Sequence, residues 1–226
     1  MNLNADQTFS PDCRKCSRLV AFLATAGQKY PSYYSKPVPS FGVERPRLLI
    51  VGLAPGLHGA NRTGRPFTGD YAGLLLYRTL YEYRFASAAQ STSSDDGLRL
   101  IDCRITNAVR CVPPQNKPIL QEVKTCNAYL QQELAVLGAA SVVLALGSVA
   151  HASVLRAREL RPTGYPFRHG VQHALPGGLT LIDSYHCSRY NTQTKRLTED
   201  MFRSVFELIR ALIDADAVNE PPQPLA

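Results

Sequence analysis

The stretch VGLAPGLHGANRTGRPFTGD, residues 51–70, joins the end of an apolar segment to a long loop that carries five glycines. The overlapping segment 47–53, RLLIVGL, is almost continuously aliphatic, which predicts a strand buried on both faces, as in a parallel sheet. Ligands of open α/β sheets bind in the crevice beyond the strand ends, and glycines let the backbone approach them closely. We therefore predict a binding site here; the alternative is an ordinary glycine-rich surface loop.

The spacing of the glycines excludes the two common nucleotide-binding loops. No Lys followed by Ser or Thr comes after the last glycine, so the Walker pattern is absent. The glycines at positions 52, 56, 59, 64 and 69 do not match G-x-G-x-x-G either. The loop is instead predicted to form a pocket wall with Pro55, Pro66 and Phe67, and it ends at Asp70, which can cap a helix beginning at Tyr71.

The rest of the chain alternates apolar strands with helices. Strands are predicted within 98–110, at 141–146 and at 179–184, and helices after Cys16, from 71, over 119–137, after Gly147 and over 198–213. An extended crossing is expected at 30–46, and polar loops at 86–97 and 189–196. This alternation predicts one three-layer α/β domain over 1–226 with a mostly parallel sheet, and with flexible tails at 1–11 and about 216–226.

The charge balance favours a polyanionic partner. Lys and Arg outnumber Asp and Glu by 25 to 18, which gives a net charge of +7 and a pI near 9.2. This moderate excess is consistent with nucleic-acid binding. Because no run of eighteen apolar residues is present and the N-terminus lacks a signal-peptide pattern, we expect a soluble, intracellular protein that binds no membrane.

Four of the six cysteines have a spacing typical of metal ligands. Cys13 and Cys16 form a C-x-x-C motif, and Cys111 and Cys126 lie farther along the chain near loops rich in proline and positive charge. Reduced thiols in an intracellular chain favour metal ligation over disulfides. Four thiolates can bind either zinc or an iron-sulfur cluster; the alternative is that Cys111 and Cys126 are ordinary buried cysteines. The cysteines at 103 and 187 are expected to be free thiols.

Three motifs together resemble the family 5, or type b, uracil-DNA glycosylases, the iron-sulfur branch of that superfamily. They are GLAPGLHGANRTGRPFTGD (52–70), ITNAVRCVPPQNKP (105–118) and SYHCSRYNTQTKRLT (184–198), and the resemblance covers most of residues 13–210. It implies a parallel-sheet α/β/α sandwich that removes uracil from DNA in base excision repair. It also implies a structural [4Fe-4S] cluster on Cys13, Cys16, Cys111 and Cys126.

The same resemblance implies DNA containing uracil, or another deaminated base such as hypoxanthine or xanthine, as the partner. We expect a monomer in the cytoplasm with nucleoid-associated activity.

Two residues depart from related patterns. Leu53 stands where the iron-sulfur family 4 enzymes have a Glu, so that general base is absent here. Cys187 stands where a Pro usually follows the histidine of the third motif, so the backbone there is less constrained than Pro would make it.

The chemistry of glycosidic bond cleavage suggests roles for residues in these motifs. The base must leave the stack, and the bond breaks toward a cationic sugar and an anionic base. Phe67 could stack on the base, Asn107 could bind its edge, and His186 could donate to the oxygen that gains negative charge. Asp70 could orient water or stabilise the sugar cation, or it could serve only as a helix cap.

We therefore predict three groups of site residues: catalytic Asp70 and His186; base-binding Gly52, Pro55, Phe67 and Asn107; and DNA-binding Arg62, Arg65, Asn116, Arg189, Lys195 and Arg196. Tyr190 or a neighbour could fill the gap left by the flipped base. The competing hypothesis is an iron-sulfur or zinc protein that binds DNA without glycosylase activity, since the family 4 carboxylate is missing.

Overall fold

A six-stranded sheet forms the centre of the computed structural model, which describes residues 9–219. The strands are β1 (Phe41–Gly42), β2 (Leu48–Gly52), β3 (Cys103–Asn107), β4 (Val142–Leu146), β5 (Gln172–Ala174) and β6 (Thr180–Ser184). Their order is β1-β3-β2-β4-β6-β5. The four central strands are parallel, and the two edge strands pair antiparallel. The prediction of a mostly parallel sheet is confirmed.

Helices cover both faces of this sheet. They are α1 (Ser17–Lys29), α2 (Ala60–Thr63), α3 (Tyr71–Glu82), α4 (Leu120–Ala135), α5 (Ser148–Ala157), α6 (Arg189–Gln193) and α7 (Glu199–Asn219). Alternate residues of β2 pack against different layers of helices. Leu48 and Ile50 pack in one core with α3 and α7, whereas Leu49 and Val51 pack in a second core with α4 and α5. The three-layer α/β/α sandwich predicted from the sequence is therefore present.

Several boundaries differ from those expected. The strand expected within 98–110 is limited to β3. The two edge strands, β1 and β5, were not predicted, because two or three residues are too few to show an alternation of apolar and polar side chains. The polar segment 189–196 begins with helix α6, whose first turn is capped by the Ser188 hydroxyl. Thr198 caps α7 as expected, but that helix runs to Asn219, so residues 216–219 of the expected tail are helical. The remaining tail residues, 1–8 and 220–226, lie outside the described part.

Parallel pairing brings the ends of the central strands to one edge. The register pairs Gly52 of β2 with Asn107 of β3, while Leu146 of β4 pairs with Ser184 of β6. Loops that follow these strands therefore meet at the carboxyl edge of the sheet, where open α/β sheets bind ligands. Within residues 9–219, no helix combines the length and the apolar character needed to cross a membrane.

Candidate active site

A cavity of about 620 Å³ opens at the carboxyl edge of the sheet. Leu53 follows β2, Gly147 follows β4, and Tyr185 and His186 follow β6, and all four line the cavity. Further residues of the glycine-rich loop also line the cavity, and so does Asp70 at the end of that loop. A volume of this size is typical of small-molecule pockets and leaves room for a nucleobase.

Phe67, Asn107 and Gly52 form a contiguous group beside the cavity. A Cβ atom at position 52 would lie 2.4 Å from Asn107 Oδ1 and 2.6 Å from the Phe67 ring, so only glycine fits here. Phe67 has a positive φ of 53° and its ring stacks on His186, with centroids 5.9 Å apart. Pro55 is also buried, and none of the four predicted base-binding residues lines the cavity itself. The structure thus brings three of the four predicted base-binding residues together.

Two of the buried polar atoms without a hydrogen-bond partner belong to predicted site residues. They are Asn107 Oδ1 and His186 Nδ1. Buried polar atoms are nearly always paired, so an unpaired one in or beside a cavity indicates a place where a ligand can bond. Burial lowers the pKa of His186 to about 4, and the imidazole is therefore neutral at physiological pH.

Asp70 has two uses in this structure. Its Oδ1 accepts a hydrogen bond from Gly73 N at 3.0 Å and so caps α3. Its Oδ2 faces the glycine-rich loop, where a Cβ atom at Gly59 would lie 2.4 Å away and one at Gly56 3.4 Å away. Burial raises the pKa of Asp70, while backbone N–H groups of Gly73 and Ala72 oppose that shift. The capping role and a role in the cavity are compatible, because they use different oxygens.

The expected phosphate contact of Arg65 must be corrected. This side chain is 5% exposed, and its guanidinium bonds Asp96 at 2.6 Å, Ser94 O and Ser91 Oγ. It also lies over the Phe41 ring at 4.3 Å. Arg65 is therefore part of the interior and is not available to DNA.

The interior contacts of Arg65 belong to a network that holds the chain on both sides of Phe67. Thr68 Oγ1 and Ser91 Oγ lie 2.8 Å apart, and Tyr77 OH donates to Pro66 O at 2.9 Å. Segment 86–97, expected to be only a polar loop, supplies Ser91 to this network. This role could not be predicted from the sequence, since the partners are far apart along the chain.

Other cations and polar groups surround the mouth of the cavity. Asn116, Arg189 and Arg196 line it, and Arg196 lies over the Tyr185 ring at 4.8 Å. Arg62 is exposed and donates through Nε to His58 O, while Lys195 lines a neighbouring groove instead of the cavity. Tyr190, at the start of α6, is 71% exposed. Five of the six predicted DNA-binding residues thus remain at or near the open surface.

Two aromatic residues of the cavity were not singled out in the sequence. Phe167 and Tyr185 both line it, and their ring centroids lie 6.2 Å apart. Tyr185 precedes His186 in the third motif and could have been found there. Phe167 lies in a segment between short elements, and no sequence pattern in that segment indicated a site.

The four cysteines of the predicted metal set line one small cavity beside α1. Cys13 and Cys16 precede that helix, Cys111 follows β3, and Cys126 lies on α4. Arg110 N donates to Cys126 Sγ at 3.3 Å, and Tyr129 OH donates to Cys13 Sγ at 3.2 Å. In the described part of the chain, no three cysteine sulfurs lie within 4.8 Å of one another. Cys103 and Cys187 are buried free thiols outside this group.

Comparison with known proteins places this geometry in a family context. The model of the uracil DNA glycosylase superfamily matches residues 39–210. A type-5 uracil-DNA glycosylase of Thermus thermophilus is 48% identical over 198 residues, which cover 85% of this chain and 90% of that protein. One of Pyrobaculum aerophilum is 40% identical over 209 residues, covering 90% and 89%. A type-4 uracil-DNA glycosylase of Archaeoglobus fulgidus is 33% identical over 177 residues, covering 76% and 81%.

Proposed function

The chain belongs to the uracil DNA glycosylase superfamily, and we propose that it excises uracil from DNA by hydrolysing the N-glycosidic bond, as a step of DNA repair. The observation that carries this proposal is the 48% identity to a type-5 uracil-DNA glycosylase over 85% of the chain. The cavity at the carboxyl edge of the sheet supports it, because a base flipped out of the duplex needs such a pocket.

Asn107 and Phe67 are the residues that we assign to base recognition. The unpaired Oδ1 of Asn107 can accept the hydrogen bond of the uracil N3–H group, and its amide N–H can donate to a uracil oxygen. The Phe67 ring, packed over Gly52, offers a stacking surface. A buried, unpaired Oδ1 of Asn107 costs free energy. A base whose edge carries a hydrogen-bond donor removes this cost, so it should bind more tightly than a base whose edge has no donor.

His186 is assigned to stabilisation of the departing base. Since the pKa of this histidine is lowered to about 4, it acts as a neutral N–H donor and not as an acid. A neutral donor fits a uracil anion, whose charge develops on an oxygen during bond cleavage. The hydrogen bond from Asn191 Nδ2 to His186 O, at 2.8 Å, holds the backbone of the donor in place.

Asp70 is assigned to the sugar side of the reaction. Its Oδ2 faces the cavity wall formed by Gly56 and Gly59, where it can stabilise the developing sugar cation or orient the attacking water. Leu53 lines the same cavity and supplies no carboxylate. Apolar walls reject related bases poorly, so we extend the proposed substrates to hypoxanthine and xanthine.

We propose that the four cysteines beside α1 hold a [4Fe-4S] cluster. All four line one small cavity, and four thiolates are the usual ligands of such a cluster. Cys13, Cys16, Cys111 and Cys126 would hold the cluster, which when bound cross-links the segment before α1 to the loop after β3 and to α4.

Exposed cations around the mouth are proposed to hold the DNA. Arg189 and Arg196 line the cavity, and Arg62 and Lys195 lie on the adjacent surface. Phosphate contacts of this kind position the strand without reading its sequence. Tyr190 is exposed at the start of α6, where it can occupy the space of the extruded base.

The proposed function is tested with duplex oligonucleotides that carry one uracil, hypoxanthine or xanthine. Incubation followed by hot alkali should break the strand at the modified position, because alkali cleaves abasic sites. An oligonucleotide with cytosine at that position is the control and should stay intact. Absence of strand breakage at uracil with enzyme in excess contradicts the glycosylase activity, whereas breakage at uracil alone contradicts only the broader base range.

A further inference from the structure

Three buried side chains meet behind the wall of the active-site cavity, outside all the motifs considered above. They are His151 on α5, His173 on β5 and Asp183 on β6. One ligand atom from each lies within 4.8 Å of the others. His151 Nδ1 is 2.7 Å from Asp183 Oδ1, and His173 Nε2 is 3.5 Å from Asp183 Oδ2. The side chain of Asp183 is fully buried, and those of His151 and His173 are 4% and 9% exposed.

The hydrogen bond made by Nε2 of His151 determines the hydrogen-bonding role of the other ring nitrogen, Nδ1. His151 Nε2 lies 2.9 Å from the carbonyl oxygen of Tyr165, which can only accept, so Nε2 carries a hydrogen. In the neutral ring Nδ1 is then an acceptor, yet it faces the carboxylate oxygen of Asp183 at 2.7 Å. Two acceptors can lie this close only if a hydrogen on one of them, or a positive ion, bridges them.

His173 provides an independent observation at the same place. Its Nε2 is buried and has no hydrogen-bond partner, although it points at Asp183 Oδ2. A buried imidazole nitrogen without a partner costs free energy, and a hydrogen between His151 and Asp183 would not give His173 Nε2 a partner. A single ion bound between the three side chains satisfies His151 Nδ1, His173 Nε2 and Asp183 at once.

We propose that His151, His173 and Asp183 bind one divalent transition-metal ion of the Zn²⁺ class. Two imidazoles and one carboxylate are a common protein ligand set for zinc, with water in the fourth position. The bond from His151 Nε2 to the Tyr165 carbonyl is the outer contact that metal-bound histidines typically make, and it fixes the tautomer with a free Nδ1. Bonds of about 2.0–2.1 Å require the His151 and Asp183 atoms to separate slightly.

The ion would cross-link α5 to both strands of the β5–β6 pair, and this would also hold the segment around Phe167. The Phe167 ring contacts His151 edge-on, with centroids 5.6 Å apart, and it also lines the active-site cavity. The proposed site therefore supports one wall of the cavity without contributing to it a group that reacts. Because these ligands are nitrogen and oxygen, the site differs chemically from the four cysteines.

The test is zinc uptake by the full-length protein as purified, after removal of loosely bound metal. Equilibration with Zn²⁺ and desalting should leave one zinc per chain by elemental analysis, with the iron content unchanged. X-ray absorption at the zinc edge should show only nitrogen and oxygen neighbours at about 2.0–2.1 Å. This spectrum is obtained from the unmodified protein and does not depend on whether a variant folds.

The matched variants are His173→Gln and His169→Gln. Both remove one imidazole, but His169 stacks on Tyr185 and is not part of the cluster. His173→Gln should weaken zinc binding by at least the 10- to 100-fold that loss of an outer contact typically causes, and His169→Gln should leave it unchanged. No retained zinc, equal uptake by His173→Gln, or sulfur neighbours at about 2.3 Å would each overturn the proposal.

Discussion

Replacing Asp70 by Asn separates the two uses of this side chain. Asn is as good a helix cap as Asp, so the bond from Gly73 N to the side-chain oxygen and the start of α3 should be kept. The substitution removes the negative charge that faces the cavity. Loss of a single group that stabilises charge in the transition state typically slows a reaction by about 100- to 1000-fold. We expect Asp70→Asn to lower the single-turnover rate of uracil release by that factor.

The same variant should not lose stability. Burial raises the pKa of Asp70, so the folded state binds the proton more tightly than the unfolded chain, whose value is near 3.8. The free energy of unfolding therefore falls as the pH rises from about 3.8 through the folded pKa, and it stays lower above it. Asn carries no charge to bury. Thermal unfolding at neutral pH should accordingly occur at the same or a higher temperature in Asp70→Asn.

Two further variants complete the experiment. Asp70→Ala removes both the charge and the cap, and should also lose about 1 kcal/mol of stability. Thr198→Ala removes the cap of α7, where Thr198 Oγ1 accepts from Met201 N at 3.2 Å, and should lose stability without slowing excision. Excision by Asp70→Asn at the wild-type rate would refute the catalytic role and leave Asp70 as a cap only.

Further predictions concern the donor, the cluster and the DNA surface. His186→Gln should slow single-turnover uracil release by about 100-fold or more, with DNA affinity unchanged in binding assays. Because the folded pKa of His186 is about 4, below the ordinary 6.5, wild-type stability falls as the pH drops between these values; denaturation of His186→Gln should show less of this loss. Cys126→Ser should lose iron and stability in elemental and thermal analysis, whereas Cys103→Ser should keep its iron. Arg196→Ala should lower the slope of log affinity against log salt by about one, and an unchanged slope would exclude a phosphate contact.

The parts of the site that follow parallel strands could be predicted from the sequence. Gly52, Asn107 and His186 each stand at or just beyond the end of an apolar run, and parallel pairing brings such ends to one edge. The helix after Asp70 was also predicted, since a capping residue directly precedes an apolar segment. Here the local signal and the tertiary structure coincide.

Other features depend on contacts that a linear pattern does not contain. Arg65 lies in the same loop as the exposed Arg62, and only its pairing with Asp96, 31 positions away, places it inside. The cluster of His151, His173 and Asp183 combines α5 with an edge strand of three residues, which has no ligand spacing to detect. Ser188, as a capping residue, could have indicated the start of helix α6, but the residues of that helix are polar and lack helical periodicity.

The most direct test of the proposed reaction is mass spectrometry of both products after one turnover on a uracil-containing duplex. Hydrolysis of the N-glycosidic bond predicts free uracil and an unbroken strand with one abasic site, in equal amounts. The same treatment of a cytosine-containing duplex should release no base. Recovery of the uracil strand at its original mass, with enzyme in excess and DNA bound, would contradict the assignment of this cavity as a glycosylase active site.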